Sequence, residues 1–120
     1  MANRWYGVTV DCADPDRLAS FWGALLGRER SDEMGGDGWA TIGSRHDAEP
    51  RITFQRVPEP RSGKVRLHLD VAVPDVDAGI AEVERLGGAP TGERHDYDEG
   101  VVVIMTDPEG HEFCLVEFYG

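Results

Sequence analysis

One segment in the second half of the chain places two side chains together that could do acid–base chemistry. Residues 65–73 alternate between apolar and polar types, which predicts a strand with His68 and Asp70 on the same face. An imidazole beside a carboxylate can move a proton near neutral pH. The residues are equally compatible with a histidine held by Asp70 or Gln55 without any chemistry. Asp70 is either a partner for a ligand amine or a solvated carboxylate.

Two further residues are candidates for ligand contact. Cys114 lies in the last strand-like run and would be a nucleophile if His68 activated it. Beyond His68 the sequence offers nothing to stabilise a thiolate, so packing is the favoured interpretation. Trp39, in the third predicted strand, can stack on an aromatic ligand or fill the interior. Cys12 and Cys114 are too few for a disulfide framework, which predicts buried free thiols.

The remaining histidines and acidic loops offer weaker signals. His46, His95 and His111 fall in predicted loop or turn contexts, and several acidic residues look like surface charge: Asp47, Glu49, Asp96, Asp98 and Glu99. The sequence has no glycine-rich phosphate loop, serine nucleophile elbow or paired-cysteine zinc motif. The chemistry is therefore concentrated around His68.

Composition narrows the class of protein further. The 120 residues carry 23 acidic and 12 basic side chains, a net charge of −11 spread along the chain. Such a surface repels phosphate backbones and anionic membranes, so we expect neither nucleic acid nor a membrane as partner. The longest apolar run, 101–105, is too short to span a bilayer, and the first residues lack a signal-peptide pattern. We expect a cytoplasmic protein with one domain over 1–120.

The first half is predicted to form a strand, a helix and three more strands. Asp14 followed by proline is typical of a helix start, and Gly27 of its end. Apolar residues recur between them at helical spacing: Leu18, Phe21, Trp22 and Leu25. Strands are predicted over 5–12, about 28–34, 39–42 and 51–57.

The second half repeats this order. After the strand over 65–73, Asp75 begins a second helix with an apolar stripe that ends at Gly87 and Gly88: Val76, Ile80, Val83 and Leu86. Strands are predicted over about 91–97, 101–106 and 111–118, with a hairpin turn at Asp107–Gly110.

The two halves form an internal repeat with an offset of 61 residues, so that Asp14 matches Asp75. Neither half is large enough to bury its sheet alone. The sequence therefore predicts an α+β fold of two βαβββ modules, about 4–58 and 64–119, which form a curved mixed sheet as a half-open barrel. The helices would lie on the outer face and the inner face would line a cavity.

Several motifs of this pattern resemble the vicinal-oxygen-chelate superfamily, which comprises glyoxalases, bleomycin-resistance proteins and extradiol dioxygenases. They are Val8-x-Val-x-x-x-Asp14 with Leu18-Ala-Ser-Phe-Trp22, His68-Leu-Asp-Val-Ala-Val-Pro-Asp75, Glu84-Arg-Leu-Gly-Gly88 and Asp107-Pro-Glu-Gly110. The likeness is greatest to a glyoxalase-like subgroup and extends from about Trp5 to Tyr119.

The resemblance implies a metal site that this chain has lost in part. Metal-using relatives hold one divalent ion with a residue from each of the first, fourth, fifth and eighth strands. The matching positions here are Gly7, Gln55, His68 and Cys114. Glycine donates nothing, and cysteine does not replace a carboxylate for a hard cation. We therefore expect no cofactor and disfavour a divalent metal. Zinc held by His68, Cys114 and a third group stays open.

Three functional hypotheses follow. The first is a binding protein that sequesters a hydrophobic or aromatic compound such as an antibiotic, with Trp39, Gln55, His68, Asp70 and Cys114 as ligand contacts. The second is a metal-free or atypical lyase or isomerase that uses His68 and Asp70 as acid and base. The third is an assembly domain without a ligand of its own. In each case exposed strand edges favour a homodimer.

Overall fold

The structure is a computed structural model that describes residues 2, 4–34, 36–63 and 67–120. It divides into two units, residues 1–62 and 63–120. Each unit has the order strand, helix, strand, strand, strand. The first contains β1 Gly7–Cys12, α1 Pro15–Leu26, β2 Arg30–Ser31, β3 Trp39–Ile42 and β4 Arg51–Arg56. The second contains β5 Asp70–Ala72, α2 Val76–Arg85, β6 Ala89–Tyr97, β7 Gly100–Thr106 and β8 Glu112–Phe118.

Both units form a four-stranded mixed sheet with the same strand order. The orders are β1-β4-β3-β2 and β5-β8-β7-β6, and in each sheet the first pair is parallel and the other pairs are antiparallel. The predicted α+β class and the βαβββ modules are confirmed. A single domain over 1–120 and a cavity lined by both modules stay predictions.

Helix α1 begins and ends where its sequence predicts. The Asp14 carboxylate accepts a hydrogen bond from the Arg17 amide at 3.2 Å, which satisfies one of the free donors of the first turn. Gly27 follows in the left-handed conformation, with φ of 66°. The apolar face is buried through Leu18, Phe21 and Trp22 and packs on β3 and β4. This helix therefore covers one face of the first sheet.

Helix α2 uses the same start. The Asp75 carboxylate accepts from the Asp77 amide at 3.2 Å, and Glu117 accepts from the Val76 amide at 2.7 Å. Val76 and Val83 are buried, and a Cβ placed on Gly79 would lie 3.3 Å from the Leu115 side chain. Leu115 therefore faces α2, and alternation along β8 turns Cys114 and Val116 to the opposite face. In neither helix is the apolar stretch long enough to cross a membrane, among the residues described.

Two predicted strands are shorter than expected. The strand predicted over 65–73 is regular only at Asp70–Ala72, and its residues 65 and 66 lie outside the described residues. The regular part pairs with β8 from Cys114 to Val116, and Leu67, which precedes it, is 86% exposed. The extended segment about 28–34 contains only Arg30–Ser31, which pair with Ile42 and Thr41 of β3.

The turn between β7 and β8 is formed as predicted. Asp107 is almost fully buried, and its carboxylate accepts from the amides of Glu109 and His111 at 2.9 and 3.0 Å. Gly110 takes a φ of 83°, which an L side chain rarely adopts. The turn fixes the start of β8, and with it the position of Cys114.

Candidate functional site

Three side chains with metal-binding or acid–base capacity meet at one point of the second unit. Nδ1 of His68 lies 3.2 Å from Oδ1 of Asp70 and 3.9 Å from Sγ of Cys114. The ligand atoms of His68, Asp70 and Cys114 all lie within 4.8 Å of one another. We call these three residues the His–Asp–Cys cluster. The placement of all three as site residues was predicted; their convergence on one point is a finding of the structure.

The parallel pairing of β5 with β8 positions the cluster. Asp70 and Cys114 are direct partners in the register, and the Cys114 amide donates to the Leu69 carbonyl at 3.0 Å. This hydrogen bond fixes the backbone between His68 and Asp70 against β8. Because side chains two residues apart share a face, His68 and Asp70 both point to the side of Cys114.

Exposure differs within the cluster. The side chains of His68 and Asp70 are 48% and 64% exposed, whereas Cys114 is buried. Burial, followed by the charge of Asp70 and a hydrogen bond to it, raises the pKa of the Cys114 thiol. The thiol is therefore protonated at neutral pH, which opposes a nucleophilic role. Cys12 and Cys114 are both buried thiols, as predicted.

The cluster opens into a pocket of about 510 Å³ on the face of the second sheet that is opposite α2. The floor is apolar and comes from β7 and β8: Val102, Ile104, Val116 and Phe118. Ionisable side chains share the lining with it: His68, Asp70, Glu93, His95, Glu99 and Glu112. A molecule in this pocket would meet apolar surface and several carboxylates.

Several of these lining residues were missed from the sequence. His95, predicted in a loop context, lies in β6, where Nε2 is 2.6 Å from a Glu93 carboxylate oxygen and the ring stacks on Tyr97 with centroids 6.0 Å apart. Glu99 is exposed, as predicted, and also lines the pocket. The sequence did contain a pattern that indicates this face. Glu93, His95 and Tyr97 are spaced two apart within the predicted strand 91–97, so they would share one face of it.

The other predicted site residues lie in the first unit. Trp39 and Gln55 are partners in the register of β3 and β4, and both are half-buried. Gly7 begins β1 opposite Arg51, and a Cβ there would lie 3.0 Å from Cγ of Arg51. The roles of Trp39 and Gln55 as ligand contacts stay predictions.

The donors do not fit the hard divalent ion that the sequence resemblance implies. Mg²⁺ and Mn²⁺ prefer oxygen ligands in near-octahedral sets. At the first-strand position Gly7 provides no donor, and at the eighth-strand position Cys114 provides sulfur. An imidazole, a carboxylate and a thiol suit a borderline-soft ion such as zinc better. These residues therefore do not support enediolate chemistry that depends on a hard cation.

Solved structures share the fold of this chain. A glyoxalase/bleomycin resistance protein/dioxygenase family enzyme from Burkholderia phytofirmans has a TM-score of 0.80 at 14% identity, over 97% of this chain and 99% of that one. A glyoxalase family protein from Bacillus cereus has a TM-score of 0.75 at 18% identity, over 100% and 97%. The fosfomycin resistance protein FosX from Listeria monocytogenes has a TM-score of 0.74 at 17% identity, over 98% and 92%. These likenesses establish the fold.

Sequence comparison adds the family. No curated protein matches the chain. The sequence pattern of the glyoxalase-like domain matches residues 7–116, nearly the whole chain. The chain belongs to the glyoxalase-like domain family.

Proposed function

We propose that the protein binds and sequesters a small organic molecule with an apolar, partly aromatic body and a positively charged group. The observation that supports this function is the mixed lining of the second unit's pocket. Its apolar floor lies beside four carboxylates: Asp70, Glu93, Glu99 and Glu112.

Charge favours a cation at this place. The described residues that line the pocket include four carboxylates and two histidines but no lysine or arginine. The whole chain carries a net charge of −11, so the long-range field attracts cations as well. A charge that leaves bulk water for a pocket interacts more strongly with nearby carboxylates, because the effective dielectric constant falls.

The apolar part of the pocket favours a flat ligand body. Tyr97 stacks on His95 with an interplanar angle of 23°, and Phe118 lies on the same lining and is largely exposed. Aromatic faces of this kind bind aromatic rings and organic cations. The volume of about 510 Å³ is within the range of about 300–1,000 Å³ that small-molecule sites occupy. Because fosfomycin resistance proteins share the fold, antibiotics belong among the candidate ligands.

Three probes of equal shape and different charge test the proposal: 1-naphthylmethylammonium, 1-naphthylmethanol and 1-naphthylacetate. We expect affinity in that order by titration calorimetry at low salt, with the ammonium bound at least about tenfold more tightly than the carboxylate, which is about 1.4 kcal/mol. Added salt should reduce the difference, since the pocket is open to solvent. Equal or stronger binding of naphthylacetate would refute the cationic ligand class.

Matched variants locate the binding. Glu99→Gln and Glu93→Gln should weaken binding of the ammonium probe and leave the affinity for the alcohol nearly unchanged. Val116→Asp, which places a charge on the apolar floor, should weaken the alcohol. Glu49→Gln, at an exposed glutamate of the first unit, is the control and should change neither. Weakening by Glu49→Gln equal to that by Glu99→Gln would place binding elsewhere.

A second candidate function is catalysis by His68 and Asp70. It is supported by their 3.2 Å contact at the edge of the pocket, where an acid–base pair could reach a bound molecule. With an active substrate, His68→Ala should abolish turnover and leave affinity within a few-fold. A variant that keeps affinity in a protein without turnover supports sequestration instead.

A homodimer and a cytoplasmic location stay predictions from the sequence. We expect light scattering at micromolar concentration to give twice the chain mass of 13.2 kDa. A 13.2 kDa species under those conditions would contradict the dimer.

A further inference from the structure

We infer that the ligand of the second unit's pocket is a dication, with two positively charged groups at opposite ends of an apolar body. This inference rests on the proposed function and narrows its ligand class from one charged group to two. The observation that carries it is the position of two lining carboxylates. Asp70 lies on β5 and Glu93 on β6, which are the two edge strands of the sheet, and the apolar floor from β7 and β8 lies between them.

One row of residues across the sheet connects the two carboxylates. Asp70 pairs with Cys114 on β8, and Cys114 pairs with Ile104 on β7. The register of β6 with β7 shifts at this level, so that residues 91–93, which end at Glu93, lie opposite Ile104. The row therefore runs from one carboxylate through a buried thiol and an isoleucine to a second carboxylate.

The strand spacing sets the distance between the two ends of the row. Neighbouring strands lie about 4.8 Å apart, so the three intervals from β5 to β6 separate the backbones of Asp70 and Glu93 by about 14 Å. Both side chains line the same pocket of about 510 Å³, so one molecule that lies along the row can contact both. Because the side chains extend from the backbone over the floor, the two charges of such a ligand would be roughly 10–14 Å apart.

A ligand with one charge would leave one end of the row without a partner. Its body would cover the floor and displace water from both carboxylates, and a carboxylate that loses water without gaining a counter-ion opposes binding. Charges from both edge strands also act on the middle of the row. Burial raises the pKa of the Cys114 thiol most, and the negative charges of Asp70 and Glu93 raise it further. A second cation removes the penalty at the far end and adds an attraction there.

Two length-matched pairs of probes test the inference: diaminooctane with octylamine, and diaminobutane with butylamine. Extended carbon chains place the two nitrogens about 11 Å apart in diaminooctane and about 6 Å apart in diaminobutane. Only the longer diamine can contact both carboxylates, and its second contact is then intramolecular.

Affinities are measured by titration calorimetry at low salt and about pH 8, so that imidazolium does not compete with the ligand cation. Diaminooctane should bind at least about fivefold more tightly than octylamine, the effect of one additional ion pair at a partly exposed site. Diaminobutane should exceed butylamine by no more than about twofold, the statistical effect of two equal ends when the linker cannot span both contacts.

Variants at the two ends of the row identify the contacts. Asp70→Asn and Glu93→Gln should each lower the ratio of diaminooctane to octylamine affinity to about twofold or less. The two side chains are 64% and 60% exposed, so neither substitution disturbs the core. Glu84→Gln, at an exposed glutamate of α2, removes the same charge from the same unit and is the matched control. It should keep the ratio of the parent protein.

The outcomes separate this inference from the proposed function. If octylamine and 1-naphthylmethylammonium bind but diaminooctane gains nothing over octylamine, the dication is wrong and a ligand with a single cation stands. If both diamines gain equally, or if Glu84→Gln lowers the ratio as much as Glu93→Gln does, overall charge explains the binding and the inference is wrong. If 1-naphthylmethylammonium binds no more tightly than 1-naphthylacetate, the proposed function fails, and this inference fails with it.

Discussion

The two units share one topology and differ in the residues at equivalent strand positions. At the offset of 61 residues, Thr9 corresponds to Asp70 and Thr53 corresponds to Cys114. Thr9 pairs with Thr53 in the parallel register of β1 with β4, and Asp70 pairs with Cys114 in the parallel register of β5 with β8. In the first unit the hydroxyl groups of Thr53 and Thr41 lie 3.1 Å apart and are buried. In the second unit the equivalent thiol faces His68, Asp70 and a pocket. Equivalent strand positions thus hold a buried hydrogen bond between two threonines in the first unit and a group of side-chain donors beside a pocket in the second.

A third position makes the contrast sharper. His68 corresponds to Gly7, where a Cβ would lie 3.0 Å from Cγ of Arg51 and 3.1 Å from its carbonyl oxygen. The space beside Gly7 is already occupied by the neighbouring strand. A donor cluster in the first unit would therefore require a small shift of Arg51 as well as exchanged side chains. After a duplication, one copy can keep a role in the core while the other keeps a site.

The largest expected effect comes from truncating the core at equivalent positions. Phe54 and Leu115 are each fully buried. Phe54→Ala should cost about 3–5 kcal/mol and Leu115→Ala about 2–5 kcal/mol in free energy of unfolding. On the prediction of one domain over 1–120, we expect both variants to lower a single urea transition.

Two spectroscopic probes can show whether the two units unfold together. All three tryptophans, Trp5, Trp22 and Trp39, are in the first half, so their fluorescence reports on that unit, whereas far-ultraviolet circular dichroism reports on both. Coincident transitions in Leu115→Ala are expected. A circular dichroism transition that precedes the tryptophan transition would show that the units unfold separately.

The second effect concerns the two equivalent polar positions. Thr53→Val leaves the buried Thr41 hydroxyl without its partner and should cost about 1–3 kcal/mol. Cys114→Val replaces a thiol by an apolar group of similar size and should cost less than about 1.5 kcal/mol. Chemical denaturation of both variants gives the comparison. Equal losses would show that Cys114 is as closely tied to its surroundings as Thr53.

The helix starts should respond alike in the two units. Asp14→Ala and Asp75→Ala each remove a carboxylate that accepts from a first-turn amide, which typically costs about 1 kcal/mol. Asp14→Ser and Asp75→Ser keep an accepting oxygen and should retain most of the stability. Serine variants as unstable as the alanine variants would mean that the cap is not the source of the loss.

The smallest effect is a dependence of stability on acid pH that comes from Glu33 in the first unit. Hydrogen bonds from Ser44, the Arg45 amide and Arg51 lower the pKa of Glu33 from 4.5 to about 2. A depressed pKa stabilises the fold fully above pH 4.5, and this contribution is lost as the pH falls towards 2. Glu33→Gln should flatten the fall in stability between those values. Since a quarter of the side chain is accessible to solvent, which screens these interactions, the change should be modest.

The control for this measurement is Glu49→Gln, at an exposed glutamate of the same unit. Stability should be recorded as the urea midpoint at several pH values. If both variants follow the parent curve, the hydrogen bonds to Glu33 do not contribute to the acid response.

Local chemistry explains which parts of the structure could be predicted from the sequence. Asp14, Asp75 and Gly27 define helix ends through contacts within a few residues, and the alternation along β8 assigns Cys114 and Leu115 to opposite faces. These features depend on short-range geometry, and the structure confirms them.

Features that depend on pairing between distant strands could not be predicted from the sequence. The meeting of His68, Asp70 and Cys114 requires the register of β5 with β8, which no single segment specifies. Strand β5 is regular only over Asp70–Ala72, the residues that pair with β8, and its own alternation did not predict this length. The place of His95 on the pocket lining likewise depends on which sheet face β6 presents, which is a property of the whole sheet.

The parallel pairs also have a kinetic consequence. Val8 pairs with Ile52, and Asp70 with Cys114, so each pair joins residues 44 positions apart in the chain. Each pair closes a loop that contains a helix and two strands, and the entropy of closing that loop is lost before the contacts compensate for it. We therefore expect the edge strands β1 and β5 to dock late in folding, so that slow refolding would limit how quickly a newly made chain acquires its pocket.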